Sequence, residues 1–366
     1  MIYLNAAGHG LPDTAVRARM IRQLQCEDEI GPIEAEAEAA EEVRAVRGKA
    51  ARLLGAHEDE IALPPWTTSG WNAAVLSLSL EGRRVLAAPG EWASNVALLQ
   101  RRGADVETMP LDDQGRLDVE VLAERIDEDV AAICAPLVCS LTGERYPLER
   151  VGDLPRPEAC AFVVDAAQAA GQVPVNVDAL NADIVAAPVR KWLRGPRGTG
   201  ILYVRRSWLE RMTPSLVADY GGVRWTGHAF EDRPDAQRFE AMGVFATQRL
   251  GMGVALDLYA ENGASIEASI AGLSAHVRAA ARIAGIMLAG VEDRTSGIVT
   301  LRMSAERTKT AMERLTAAGI MVKAPGMDCE PLRNPATHQG GFLRISPHVY
   351  NTPDEIDRLF EVIDGV

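Results

Sequence analysis

The sequence predicts an α/β protein of two domains, a large doubly wound, mostly parallel sheet followed by a smaller α+β unit. Three observations predict it. The 366 residues exceed what one hydrophobic core usually serves. Between residues 84 and 204 short apolar runs alternate with helical segments, the mark of repeated βα units. From Gly251 that alternation gives way to long helical stretches, then to strands and helices in a different order. The expected divisions are an N-terminal arm at 1–15, a large domain at 16–250 and a small domain at 251–366.

In chain order, helical patterns fill about residues 14–55. They include "EAEAEAAEEVR" from Glu34 to Arg44, whose Glu-to-Arg spacing marks a solvent-facing helix. The strand candidates are "RVLAAP" (84–89), "DVETMP" (105–110), "VAAICAP" (130–136), "AFVVDA" (161–166), "ADIVAAP" (182–188) and "GILYV" (200–204). Several are apolar on both faces, as strands buried between two helical layers must be. Two helical stretches, about 251–262 and 265–290, then lead into "GIVTLRM", a helix, "IMVKAP", "GFLRISPH" and a last helix from Pro353.

Composition narrows the function classes. With 38 Lys+Arg against 51 Asp+Glu the net charge is −13, which argues against nucleic acid and anionic membranes as partners. No stretch is apolar and long enough to span a bilayer. The opening "MIYLNAAGHGLPD" lacks a basic segment followed by an apolar one, so a cytoplasmic location is expected. Cys26, Cys134, Cys139, Cys160 and Cys329 are scattered and lack metal-ligand spacing, so no metal is expected.

The chemistry is sought just beyond the strands, because ligands of open α/β sheets bind at the C-terminal strand ends. "APVRKWLRGPRGTGILYV" gathers Arg190, Lys191, Arg194 and Arg197 before a glycine-rich turn in an otherwise acidic chain. A solvated turn is the plain reading. The other is a phosphate site with an activated amine, since glycines let backbone approach a ligand and neighbouring cations lower a lysine's pKa. Asp165 closes an apolar strand, and Gln168 follows three residues later. A carboxylate there is either a helix N-cap or the partner of a protonated ring nitrogen. Thr67, Thr68 and Ser69 precede Gly70 and an apolar helical run, which makes either a plain cap or a phosphate cradle. Trp92, shortly after the 84–89 strand, is a core aromatic or a stacking face for a planar ring. Taken together, a lysine for an aldehyde, an acid for a ring nitrogen, a stacking aromatic and a phosphate cradle describe pyridoxal phosphate.

At these residues the sequence resembles the class V aminotransferase and cysteine desulfurase group of fold type I pyridoxal-phosphate enzymes. The resemblance runs from "YLNAAGHGLP" to "LRISPHVYNTPDEIDRLFEVI". It implies that Lys191 holds the cofactor's aldehyde, Asp165 meets the pyridine nitrogen, Gln168 bonds the ring oxygen and Trp92 stacks on the ring. Thr68 and Ser69 would meet the phosphate, Ser140 would lie near the ring oxygen, and Arg344 would bind the substrate carboxylate. It further implies a homodimer. "RKWLRGPRGTG" and "RISPHVYNT" are most similar to the subgroup of the ergothioneine-pathway C–S lyase and epimerase-like proteins. Arg190 replaces a histidine common in desulfurases, Pro188 replaces a phosphate-binding Ser or Thr, and no Gly-Thr is evident in "RFEAMGVFATQRLGMGVAL". Phosphate binding is therefore expected to lean on Arg190 and the Thr67–Ser69 turn.

The resemblance leaves the reaction open among fates of one amino-acid carbanion. β C–S cleavage leads, either desulfurase-like or as a cysteine-conjugate or sulfoxide lyase. A desulfurase needs a nucleophilic cysteine, and Cys329 in "APGMDCEPLRNP" stands close to that position. It lacks a flanking cation, and Asp328 and Glu330 oppose its ionisation, so an incidental loop cysteine is the competing reading. An aminotransferase would need only Lys191. A racemase would need a second acid such as Tyr220, Tyr350, His348 or Cys329. Arg224, Trp225 and His228 are candidate substrate contacts, and His348 is equally readable as a packing residue beside the Arg344 strand. A cofactor-binding protein without catalysis is the remote alternative.

Overall fold

The computed structural model describes residues 1–215, 222–240, 245–291, 295–333 and 340–365. The chain opens with a short strand, β1 (Ile2–Tyr3), and two helices, α1 (Thr14–Ile30) and α2 (Pro32–Leu54). Asp13 caps α1 by accepting the Ala15 N–H, and Gly31, at φ 98°, turns the chain into α2. There follow β2 (Ile61–Ala62), α3 (Thr67–Val75), β3 (Arg84–Ala87), α4 (Ala93–Arg101), β4 (Asp105–Thr108), α5 (Val119–Glu124) and β5 (Val130–Pro136). The large domain continues through α6 (Leu148–Gly152), β6 (Ala161–Asp165), β7 (Ile184–Pro188), β8 (Gly200–Val204) and α7 (Arg206–Leu209).

Seven of these strands form one sheet in the order β2-β8-β7-β6-β5-β3-β4, with β8 antiparallel to both neighbours and β7 to β4 parallel. All six sequence-predicted strands of this domain are present. Alternate residues of one strand enter two different cores: Phe162 and Val164 pack on one face of the sheet, Ala161 and Val163 on the other. Burial of both faces is why these strands read as continuous apolar runs.

A hairpin, β9 (Val223–Trp225) and β10 (Phe230–Asp232), precedes a long helix, α8 (Ala246–Ile283). Two helical stretches broken near residue 263 were expected here, and the structure has one helix of 38 residues. Gly263 invites the break, but a glycine inside a helix costs only about 1 kcal/mol relative to alanine, and no proline enforces a stop. Packing settles it. Met252, Ala255 and Leu256 join the large-domain core, while Leu273, Val277 and Ala281 join a second core.

That second core is closed by β11 (Met287–Leu288), β12 (Val299–Met303), α9 (Ala305–Ala317), β13 (Ile320–Met321), β14 (Gly341–Ile345) and α10 (Pro353–Ile363). Its sheet runs β11-β12-β14, and β1 pairs with β13 in parallel. The N-terminal arm is thus stitched to the small-domain elements, and Leu4 lies in their core.

Candidate active site

The parallel strands deliver β3, β5, β6 and β7 to a common edge, where a cavity of about 510 Å³ opens. Nine residues singled out from the sequence line it together: Thr67, Thr68, Ser69, Trp92, Ser140, Asp165, Gln168, Arg190 and Lys191. Pro188 lines it as well.

Lys191 follows β7 by three residues. Its pKa falls to about 7, chiefly through burial and then through Arg190 and Arg344, while Asp165 opposes the fall. The neighbouring arginines do lower it, as the sequence suggested, but burial is the larger cause. Asp165 ends β6. Its Oδ1 accepts the Ala167 N–H at 2.7 Å and its Oδ2 accepts from Asn95 Nδ2 at 3.1 Å. Burial raises its pKa, and Lys191, the Ala167 amide and Asn95 all work against that rise. The residues after Asp165 form turns rather than an α-helix, so it orders a turn and faces the cavity instead of capping a helix.

The start of α3 also lines the cavity. Thr67, Thr68 and Ser69 form its first turn, where helix N–H groups lack intrahelical partners and favour anions. The Ser69 hydroxyl is engaged by the Trp66 backbone, accepting its N–H at 3.2 Å and donating to its carbonyl at 2.8 Å. Gly200 lies close behind this turn: a Cβ there would stand 3.0 Å from the Trp66 carbonyl carbon and 3.1 Å from the Thr67 nitrogen, tighter than ordinary contact. Arg190 donates to the Gly8 carbonyl at 2.5 Å, which ties the arm to the cavity. Arg194 serves the arm rather than the cavity: it donates to the Leu11 carbonyl, pairs with Asp13 at 3.2 Å and lies over the Tyr350 ring.

Gln168, Ser140 and Arg344 form a network along one side. Gln168 Nε2 donates to the Ala7 carbonyl at 3.1 Å and to Ser140 Oγ at 3.2 Å, and its Oε1 accepts from Trp192 Nε1 at 3.0 Å. Arg344 Nη1 donates to both the Ser140 carbonyl and its hydroxyl at 2.9 Å. Arg344 is buried behind Ser140 and does not line the cavity, and burial lowers its pKa to about 10.

Cys329 and His348 also stand outside the cavity. Cys329 ends a 3-10 turn, Met327–Cys329, that Glu330 clamps. One Glu330 oxygen accepts the Leu141 N–H at 2.6 Å and the other accepts from Arg333 Nε at 2.8 Å. Burial, with Glu330 next, pushes the Cys329 thiol up to about 11. His348 is fully buried between Trp192 and Tyr350, with ring centroids 6.0 and 5.3 Å away. Its Nε2 faces the Trp192 carbonyl at 2.9 Å and its Nδ1 accepts the Val349 N–H, which fixes a neutral tautomer. Burial first of all lowers its pKa to about 4, so it packs rather than titrates at neutral pH. Arg224, Trp225 and His228 are exposed on the β9–β10 hairpin and its turn and do not line the cavity. Tyr220 lies outside the described residues.

Sequence reasoning missed Glu91, Asn95, Asn72, Trp66 and Thr199. Asn72, Trp66, Thr199 and Asn95 are cavity residues, and Glu91 lies behind Asn95. The one available signal was the Glu91–Asn95 spacing of four beside Trp92, which puts two polar groups on the buried side of a helix start.

These residues fit pyridoxal phosphate. An amine with a pKa near 7 is about half unprotonated at pH 7, so it can condense with an aldehyde. A carboxylate held by two donors stands in the same cavity for a ring nitrogen, and Arg190 with the first turn of α3 suits a phosphate. Fold and site together define a class: a two-domain α/β protein built around a buried lysine and a strand-end carboxylate. Residues 3–359 match the model of the family described as Aminotransferase class-V, and the chain belongs to that family. It is 30% identical to a probable hercynylcysteine sulfoxide lyase of Mycobacterium tuberculosis, covering 99% of this chain and 89% of that protein. It is 27% identical to a probable cysteine desulfurase of Methanothermobacter thermautotrophicus, over 90% and 84% of the two chains. Among solved structures, the apo cysteine desulfurase of Thermococcus onnurineus NA1 shares the fold, with a TM-score of 0.88 at 24% identity over 99% and 94% of the chains.

Proposed function

We propose that this protein is a pyridoxal-phosphate enzyme that breaks the β C–S bond of a cysteine-derived amino acid by elimination, without a cysteine nucleophile. The observation that carries the reading is a separation: Lys191 and Asp165 line the cavity, whereas Cys329 lies outside it with its thiol held protonated. The similarity to proteins named for C–S chemistry supports the bond class, and the relative named a sulfoxide lyase favours an S-conjugate or sulfoxide of cysteine.

Bound in the cavity, the cofactor supplies an electron sink for the pair left on Cα when its proton is removed. Lys191 takes that proton, its amine kept basic yet about half unprotonated at pH 7 by burial and by Arg190 and Arg344. Asp165 holds negative charge for the ring nitrogen, and Trp92, 40% exposed at the mouth, offers a stacking face. Arg190, Thr68 and the backbone of the first turn of α3 at Ser69, whose hydroxyl is engaged by Trp66, receive the phosphate. Ser140, backed by Arg344, receives the substrate carboxylate. The Cβ–S bond then breaks with its electron pair leaving on sulfur. Water converts the remaining dehydroamino acid to pyruvate and ammonia. The working form in this proposal is a cytoplasmic homodimer, and the exposed Trp66 beside the cavity gives a second copy apolar surface to cover. No described helix is long and apolar enough to cross a membrane.

The test is a proton NMR time course in deuterated buffer, with cysteine, cysteine S-conjugates and cysteine sulfoxides and no oxo acid. The expected result is pyruvate with release of a sulfur species, undiminished in Cys329→Ala. Exchange of the α-proton while the amino acid survives would overturn the elimination and bring racemisation or transamination forward. Loss of sulfur release in Cys329→Ala would restore the desulfurase reading.

A further inference from the structure

A second buried carboxyl stands behind Asp165. Glu91 is 0% exposed, two residues before the start of α4. Its Oε1 accepts the Trp92 N–H at 2.9 Å and Asn95 Nδ2 at 2.8 Å, while its buried Oε2 has no partner. The same Asn95 nitrogen donates to Asp165 Oδ2 at 3.1 Å. Both hydrogens of one amide are therefore spent on two carboxyls, one lining the cavity and one behind it.

Two carboxylates joined through one amide in a water-poor site cannot both be charged at little cost. Their donors decide which carries the proton. Asp165 has a donor on each oxygen and Lys191 nearby. Glu91 has both donors on Oε1 and none on Oε2, the pattern of a carbonyl oxygen beside a protonated hydroxyl. Glu330, from the small domain, is a further anion that acts on Glu91, and the Cys134 thiol of β5 beside it is held protonated, first by burial and then by Glu91.

We propose that Glu91 is held as the neutral acid and, through Asn95, is a positioning residue that fixes the Asp165 carboxylate and leaves the site's negative charge there. The proposal rests on reading Asp165 as the partner of the cofactor's ring nitrogen. Burial, followed by the charge of Asp165, raises the Glu91 pKa to about 8, which agrees with a neutral acid at pH 7.

Two measurements test it. Infrared difference spectra of the apoprotein, wild type against Glu91→Gln, are expected to show a protonated-carboxyl band that is lost in the variant and fades in wild type above pH 8. Absence of that band would show Glu91 ionised and overturn the proposal. Spectrophotometric titration with pyridoxal phosphate at pH 7 is expected to show Glu91→Gln close to wild type. Glu91→Ala and Asn95→Ala should each bind about tenfold more weakly, and the double variant no more weakly than either single one. Glu91→Gln as weak as Glu91→Ala, or additive losses in folded variants, would also overturn it. A wild-type protein that bound no pyridoxal phosphate would instead break the functional reading, with the infrared band still deciding the state of Glu91.

Discussion

Lys191, just past β7, and Cys329, on its clamped turn in the small domain, are both partly buried and both feel the charge of Arg344. Burial penalises whichever form is charged. For lysine the charged form is the inert ammonium, so burial exposes the reactive amine. For cysteine the charged form is the reactive thiolate, so burial suppresses it. Neighbours amplify the split: Lys191 has two arginines that oppose its protonation, and Cys329 has Glu330 and Asp328 that oppose its ionisation. One fold thus favours the free amine of Lys191 and the protonated thiol of Cys329. Residue type, and not degree of burial, decides which.

The largest effect that breaks this contrast is loss of the amine. Lys191→Ala should lower turnover roughly 10²–10⁴-fold, the range for removing a positioned proton-transfer group. Lys191→Arg should not rescue it, because a guanidinium stays protonated. Steady-state rates with the substrate identified by NMR check both. A variant within tenfold of wild type would move the base elsewhere.

A smaller effect tests the other half. A thiol with a pKa near 11 is almost wholly protonated at pH 7.5, although its rare thiolate is somewhat more nucleophilic. Cys329 should then alkylate with iodoacetamide roughly tenfold or more slowly than a thiol in an unfolded peptide. Its rate should keep rising beyond pH 9, where an ordinary cysteine levels off. Peptide mapping by mass spectrometry separates it from Cys26, the other cysteine that is not buried. Fast labelling that levels off near pH 7 would mean a thiolate poised for chemistry.

The same asymmetry governs what the sequence made legible. The strands from β3 to β8 were readable because burial on both faces leaves continuous apolar runs, and strand ends then pointed to Lys191, Asp165 and Trp92. The unbroken α8 was not readable. Its continuity depends on two cores gripping its two halves, a tertiary effect that Gly263 locally contradicts. Arg344 shows a finer limit: its position was legible, but its retreat behind Ser140 is a matter of side-chain direction. Glu91 was hidden because a buried acid and an exposed one look alike in a chain with so many carboxylates.

The smallest effect isolates the cationic contribution to the contrast. Arg190 acts on Lys191 by charge, after burial, so Arg190→Gln should raise the Lys191 pKa by less than one unit above its value near 7. The sign follows directly: a removed cation makes protonating the amine easier, so the free-amine fraction at pH 7 falls, by a few fold at most. Because Arg190 is also assigned to the phosphate, the measurement belongs on the apoprotein. Nitrogen-15 NMR of labelled lysine side chains suits it, since the other lysines are only Lys49, Lys309 and Lys323. An unchanged titration would leave burial, with Arg344, as the activating force. A downward shift would mean that the lost Gly8 contact loosens the arm and that the field at Lys191 is set by structure beyond its nearest charges.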